Sequence, residues 1–403
     1  MQLYENQIAK LINNFNKATA MRKVKIGVIG AGTMGKSHIK TLQTINTCEL
    51  VAVCDSQSTL DTLYSERLVP GSVRGFPDCK DFFTSGLCDA AAIVTPHTLH
   101  LDIAEKAFAA GLHVMCEKPI TISVTEADHL ISTWKKTSLK FCTMFTMRTA
   151  ACNQIIKEWI TGDRLGAIRR VEITCTEWLR SQKYYDSQPW RGTWKGEGGG
   201  LLMNQAPHNL DLLSWWFGPA TAIEAGVFNR FHDIETEDEV SATIWTQAGF
   251  PIMFYANTAE APGKDYIEIV ADKGTLIRNN GKLLFRKLAC GLDETVRHSN
   301  ENFPVIKTED IEIAIPENPR GHKVIFEDFF DTIINDRRNN AMIAPGAEGI
   351  FAVEWANAML LSACTKKKIS LPLDRSAYDD LLKKLQTGKI ILKGNGFFKA
   401  AES

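Results

Sequence analysis

The chain has 403 residues, which at roughly 150 residues per domain gives room for two or three domains and a sizeable core. Apolar residues make up 44% and charged ones 23%, which excludes a disordered or fibrous chain. Lys plus Arg is 46 against 47 Asp plus Glu, a balance of −1, so no basic excess exists for a nucleic-acid backbone or an anionic membrane surface.

Residues 1–22 read as an amphipathic helical extension, with Leu3, Ile8, Leu11, Ile12 and Phe15 roughly on one side. Packing against a neighbouring subunit and simple fraying are both open for it. It holds no apolar run of signal-peptide length, and no 18-residue apolar stretch follows that would span a membrane. The 10 cysteines are scattered without a CxxC pair, which reads as reduced thiols in a cytoplasm.

From residue 23 to 147, short β-branched runs alternate with helical periods. The runs are Val24–Ile29, Leu50–Cys54, Ala91–Val94, His113–Cys116 and Phe141–Phe145, and the helical stretches include Met34–Leu42, Leu99–Ala110 and Val124–Lys135. That rhythm predicts an α/β domain with a doubly wound parallel sheet. From 148 to 403 the strands lengthen and alternate, as in Arg170–Thr176, Glu239–Ile244, Ile252–Tyr255, and Tyr266–Val270 with Leu276–Arg278 around Asp272-Lys273-Gly274. A large, open, mostly antiparallel sheet is expected there, with helices over Leu202–Trp216 and Glu348–Ala363.

Gly30-Ala31-Gly32-Thr33-Met34-Gly35 follows the first strand and opens a helix, the context a dinucleotide fingerprint requires. The glycines allow a tight turn and close approach of backbone amides to a pyrophosphate at a helix N-terminus. Asp55, at the end of the second strand, is placed to accept hydrogen bonds from an adenosine ribose. Ser56 and Gln57 follow it, with no Arg or Lys for a 2′-phosphate, so NAD is expected over NADP.

Thr95-Pro96-His97-Thr98-Leu99-His100 and Glu117-Lys118-Pro119 each follow a strand, at the edge where open α/β sheets bind ligands. Together with Trp190-Arg191, Gly198-Gly199-Gly200 and the run Asn204 to Asp211, these motifs resemble the Gfo/Idh/MocA oxidoreductases over about residues 23–373. The resemblance implies an N-terminal Rossmann domain (23–147) and a C-terminal substrate-binding and oligomerisation domain (148–403). It also implies NAD or NADP, oxidation or reduction of one carbinol of a sugar, cyclitol or sugar nucleotide, a cis peptide at Lys118-Pro119, and homo-oligomers, dimeric or tetrameric. Thr95, Pro96, His97, His100, Glu117 and Lys118 are the expected cofactor contacts at these strand ends.

Hydride transfer from a carbinol needs a proton acceptor and a group to stabilise the developing alkoxide. Lys118 and His208 are the expected catalytic pair. For Lys118, desolvation would lower the pKa while Glu117 pulls the other way, and a plain salt bridge is the alternative for the tripeptide alone. Asn204, His208 and Asp211 fall at i, i+4 and i+7 of an apolar segment, on one helix face. The inositol dehydrogenase branch carries Asp where Asn204 stands, and sugar 3-dehydrogenase branches carry Asn. Asn204 is therefore expected to position a sugar hydroxyl or the nicotinamide ribose. Asp211 either fixes the imidazole's tautomer or caps a neighbouring structural group.

The stretch from Glu177 to Trp194 includes Trp178, Arg180, Tyr184, Tyr185, Trp190 and Arg191, an aromatic and hydrogen-bonding density that suits a sugar; an aromatic subunit interface is its other reading. Arg148 is a further substrate or cofactor candidate. No metal is expected, because no Cys or carboxylate completes a ligand set with His97, His100 and His113. The leading expectation is an NAD-dependent dehydrogenase acting at C3 of a hexopyranoside. Its rivals are a glycosidase that keeps NAD bound and oxidises C3 transiently, and a non-enzymatic dinucleotide-sensing regulator.

Overall fold

A computed structural model describes residues 22–317, 320–394 and 397–400. Apart from Arg22, the expected N-terminal extension lies outside the described residues. Strands β1 (Val24–Ile29), β2 (Cys48–Cys54), β3 (Arg74–Phe76), β4 (Ala90–Ile93), β5 (His113–Cys116) and β6 (Phe141–Thr143) form one sheet in the order β3-β2-β1-β4-β5-β6. Every pairing in it is parallel. β4 is buried at all its positions, as a strand covered on both faces must be. The Thr33–Leu42 helix packs on β1 through Gly35, His38, Ile39 and Leu42, an i, i+3, i+4, i+7 stripe that puts a histidine against the sheet.

Strands β7 (Ile168–Cys175), β8 (Ala220–Phe228), β9 (Glu239–Thr246), β10 (Pro251–Asn257), β11 (Asp265–Ala271), β12 (Gly274–Asn279), β13 (Lys282–Leu288), β14 (Thr308–Ile313) and β15 (Ile369–Ser370) form a second sheet in the order β14-β13-β12-β11-β7-β10-β9-β8-β15. Only β7 and β10 pair in parallel among them. Buried and half-exposed residues alternate along β10 and β12, so one face of this sheet is covered. The Pro207–Phe217 and Gly349–Thr365 helices pack together there, the latter against β8.

The chain then returns to the first sheet. The His322–Ile334 helix packs on the Thr33–Leu42 helix and β1. Beyond it, Thr143 N–H at the end of β6 donates to Ala344 O at 3.0 Å, which covers the edge of that sheet. Asn357 Oδ1 accepts from Val124 N at 3.0 Å, tying the Gly349–Thr365 helix to the Val124–Trp134 helix. These crossings fix the strand ends of the first sheet against the helices of the second.

Candidate active site

The glycine loop leaves β1 at Gly30, whose φ is +93° and whose N–H donates to Cys54 O at 2.9 Å. A Cβ on Gly30 would stand 2.7 Å from Val94 O, and one on Gly35 would stand 2.0 Å from Gly30 O, so both must lack side chains for the turn to close. A Cβ on Gly32 would meet nothing within 4 Å, which leaves open space at the helix N-terminus. Asp55 braces the loop: its carboxylate accepts from Ala31 N at 2.6 Å and from Ser56 N at 2.7 Å. A cleft of about 640 Å³ is lined by Ala31, Gly32, Thr33, Lys36, Thr59 and, from the loop beyond β7, Gln188. Thr95 Oγ1, at the end of β4, is buried without a partner. The open glycine cradle and this orphaned hydroxyl fit a bound dinucleotide. Met34 is 42% exposed at the mouth of the loop. Replacing Gly35 by Ala is expected to weaken NAD binding by roughly tenfold or more, because the new methyl collides with backbone. Fluorescence titration checks this, and unchanged affinity would contradict it.

Two expected cofactor contacts turn inward. Both ring nitrogens of buried His100 face backbone carbonyls, Nδ1 to Pro119 O at 2.7 Å and Nε2 to Thr95 O at 2.9 Å. His100 therefore shapes the two strand-end loops instead of touching a ligand. His97 is 8% exposed, its Nδ1 faces Glu197 O at 3.4 Å, and its ring meets Trp190 edge-on at 6.2 Å. Pro96 caps the short turn that carries it.

At the end of β5 the Lys118-Pro119 peptide is cis. Glu117 Oε1 pairs with His38 Nε2 at 2.6 Å, and Oε2 accepts from Lys118 N at 3.1 Å. Burial would push this carboxyl up, but the His38 bond and the charges of His38, Lys118 and His322 pull it down to about 2. His322, which starts its helix beyond Gly321, lies 4.9 Å from the His38 ring. One donor atom from each of His38, Glu117 and His322 falls within 4.8 Å of the others, a grouping that sequence reasoning missed. His38 and Glu117 are hydrogen-bonded at 2.6 Å, and His322 meets the His38 ring edge-on. Only His38's place on the buried helical stripe signalled it in the sequence.

Lys118 Nζ donates to Asn204 O at 2.6 Å, joining the first sheet to the segment that carries His208. Burial lowers the lysine's pKa below its ordinary value, Glu117 and Glu197 oppose this, and Arg191 and Arg180 add to it. Burial also pushes His208 down to about 3, aided by the charges of Lys118 and His322, so its imidazole is neutral at ordinary pH.

The single helix expected over Leu202–Trp216 is two pieces, Leu201–Asn204 and Pro207–Phe217. Pro207 has no N–H to continue the first turn and serves at the start of the second. This break undoes the shared face of Asn204, His208 and Asp211. Asn204 Nδ2 bonds Glu197 Oε1. Asp211 does not orient the imidazole: it forms a buried, two-pronged pair with Arg148, at 2.9 Å to Nε and 2.6 Å to Nη2. Arg148, 2% exposed, also meets Glu348 at 2.5 Å and Ile343 O at 3.2 Å. Burial works against its charge, but Asp211 and Glu348 raise its pKa above the ordinary value. Arg148 and Asp211 are thus internal pillars and not substrate contacts. His208 Nδ1 is left buried without a partner.

Glu237, fully buried and also missed from the sequence, anchors the start of this segment by accepting from Gly200 N and Leu202 N, both at 2.9 Å. The clearance of Gly200 serves the chain itself, since a Cβ there would lie 2.1 Å from Glu237 O. Burial, opposed by those amides and aided by Glu197's charge, pushes the Glu237 carboxyl up to about 7, from an ordinary 4.5. Between those values the folded chain holds a proton that the unfolded chain has lost, so this contribution to stability falls as pH rises. Relative to Glu237→Gln, wild-type stability is expected to drop by about 2 kcal/mol from pH ~5 to ~8. Parallel Tm curves for the two proteins would contradict this.

Of the aromatic stretch, Tyr185 is 5% exposed, packs on His232 at 4.8 Å and has its hydroxyl 3.3 Å from Thr258 Oγ1, so it supports the loop from beneath. Trp178 packs against the core. Tyr184, Trp190 and Arg191 stay together: Arg191 Nη1 donates to Tyr184 OH at 2.6 Å, and its guanidinium lies over both rings. Buried Glu197, a further residue sequence reasoning missed, accepts from Gly192 N at 2.7 Å and from Asn204, linking this loop to the Lys118 contact.

A glycine-loop parallel sheet with a carboxylate closing β2 and a lysine at the end of β5 defines an NAD-binding oxidoreductase. Residues 24–145 match the family model described as oxidoreductase family, NAD-binding Rossmann fold, and residues 153–277 match the GFO/IDH/MocA C-terminal domain. The chain belongs to the Gfo/Idh/MocA oxidoreductases. It is 23% identical to inositol 2-dehydrogenase of Rhizobium meliloti over 360 residues, covering 86% of this chain and 99% of that one. It is 29% identical to D-glucoside 3-dehydrogenase of Escherichia coli over 218 residues, covering 53% of this chain and 59% of the other. The structure of the WlbA dehydrogenase from Bordetella pertussis in complex with NADH and UDP-GlcNAcA superposes with a TM-score of 0.73 at 26% identity, over 88% of this chain and all of that one. Among the described residues no helix is long and apolar enough to cross a membrane.

Proposed function

We propose that this enzyme interconverts a secondary alcohol and a ketone on a sugar or glycoside, at C3 of a hexopyranoside, in the cytoplasm. The observation that carries this reading is the 2.6 Å contact from Lys118 Nζ to Asn204 O, which brings a partly desolvated amine to the entrance of the His208 helix. Bound NAD supplies the hydride acceptor. Lys118, its pKa lowered by burial, takes the hydroxyl proton in its neutral form and returns it in the reverse direction. His208, held neutral, donates its ring N–H to the oxygen of the same hydroxyl, which orients it and steadies the alkoxide as the proton leaves for Lys118. Asn204 steadies a neighbouring hydroxyl through Oδ1, its Nδ2 being committed to Glu197. Trp190, which carries Arg191 over one side of its ring, offers its other face to the sugar's C–H surface.

Two relatives named for oxidation of a glucoside at C3 and of an inositol at C2 support the substrate class. Copies of the chain are proposed to pair through the half-exposed face of the nine-stranded sheet. Screening NAD reduction across glucosides, inositols and sugar nucleotides, then locating the product carbonyl, tests the reading. A 3-ketone with stoichiometric NADH is expected. Release of an aglycone without accumulating NADH would contradict it, as would the absence of turnover across the panel.

A further inference from the structure

Arg180 and Arg191 converge on one ring. Their guanidinium carbons lie 5.1 and 4.3 Å from the centroid of Tyr184, and Arg191 is also 4.6 Å from that of Trp190. Arg148, Arg170, Arg230, Arg278 and Arg375 are each held by carboxylates. Among the described residues no carboxylate lies within 4.0 Å of Arg180 or Arg191. The Nε of each is buried with no acceptor. A buried guanidinium N–H without a partner is costly, and its planar fork matches the oxygens of a carboxylate or phosphate.

Glu197, the buried carboxylate of this loop, does not pair with either of them. Glu197 accepts from Gly192 N at 2.7 Å through one oxygen and from Asn204 Nδ2 through the other. The same chain of contacts carries the pair to the reaction centre: Arg191 adjoins Gly192, Glu197 holds Asn204, and Asn204 O receives Lys118 Nζ at 2.6 Å. Arg180 and Arg191 also act on the charge of Lys118, so the three cationic side chains lie close enough to interact, while the carboxylate of Glu197 is hydrogen-bonded elsewhere. A neutral sugar would leave both guanidinium Nε atoms without an anionic acceptor. Resting on the sugar oxidation proposed above, we propose that the substrate carries an anionic group, a carboxylate or a phosphate, seated between Arg180 and Arg191.

The test compares methyl glucoside, methyl glucuronide and glucose 6-phosphate as substrates of the full chain with NAD. Charge-assisted contacts of this kind are expected to give one anionic sugar a kcat/KM roughly 10–100-fold above the neutral glucoside, carried by KM. Preference for the glucuronide assigns a carboxylate, and preference for the phosphate ester assigns a phosphate. In Arg180→Ala and Arg191→Ala the anionic-to-neutral ratio should collapse toward one. Arg191→Lys, which keeps the charge and loses the fork, should fall between, with Tm curves verifying that each variant folds. A ratio near or below one in the wild type, or unchanged in the alanine variants, overturns the proposal. If none of the sugars is oxidised, the sugar oxidation reading fails separately. Calorimetric titration of the NAD-loaded enzyme with glucuronide and glucose 6-phosphate then decides this one: Arg-dependent binding upholds it, and no binding overturns it.

Discussion

Replacing Lys118 by Met is expected to lower kcat by about 10²–10⁴-fold, the range that positioned proton transfer supplies. Methionine keeps the apolar stem and removes the amine that contacts Asn204 O, so the loss falls on chemistry and not on folding. NAD affinity should hardly change, because the glycine loop and Asp55 lie at β1 and β2 while Lys118 follows β5. The pH profile gives a second readout. Burial lowers the Lys118 pKa from its ordinary 10.5, so wild-type oxidation should rise with pH along a limb below that value. The variant should lose the limb along with the rate. Comparable kcat in the two proteins, or a surviving limb, would remove Lys118 from its role.

The His208→Ala variant should lose about 10²-fold or more in kcat, with a smaller change in the shape of the pH profile. Its imidazole, held near 3 by burial and by the Lys118 and His322 charges, does not titrate in the working range. Wild-type activity is therefore expected to show no acid limb around pH ~6.5, where an unperturbed histidine would place one. An acid limb there that vanishes in His208→Ala would show that the imidazole, and not Lys118, carries the proton. Because His208 Nδ1 has no partner, Asp211→Asn should perturb the Arg148 cluster and protein stability without altering that profile.

Much of the first sheet was legible because covered parallel strands are contiguous apolar runs: Val24–Ile29 and His113–Cys116 were read to the residue. β3 escaped because three residues, Arg74–Phe76, are too short to show a period. In the second half, β8, β13 and β14 went unread; all six β14 residues are exposed or half-exposed, so no apolar alternation marks that strand. The His322–Ile334 helix was also missed, and with it His322.

At the site, residues that act through local backbone chemistry were readable, as the glycine loop shows. Residues whose roles depend on distant partners were not. Arg148 looked like a ligand contact and Asp211 like either a partner of the imidazole or a structural cap, yet the two lie 63 positions apart in sequence and close a buried ion pair. Periodicity placed Asn204 with His208 on one face, while the physics of Pro207 had already separated them. Glu197 and Glu237 stood in the sequence as ordinary acids, and only burial shows one tethering Asn204 and the other anchoring Gly200.

The central claim is that hydride leaves a sugar carbinol carbon for NAD while Lys118 removes the hydroxyl proton. Turnover of a hexopyranoside deuterated at C3, followed by mass analysis of the nicotinamide product and the sugar, tests it most directly. The account predicts deuterium in the NADH, a carbonyl at C3, and at least a roughly hundredfold loss of both in Lys118→Met. Deuterium retained on the sugar while NADH forms, or equal transfer in the variant, would contradict it.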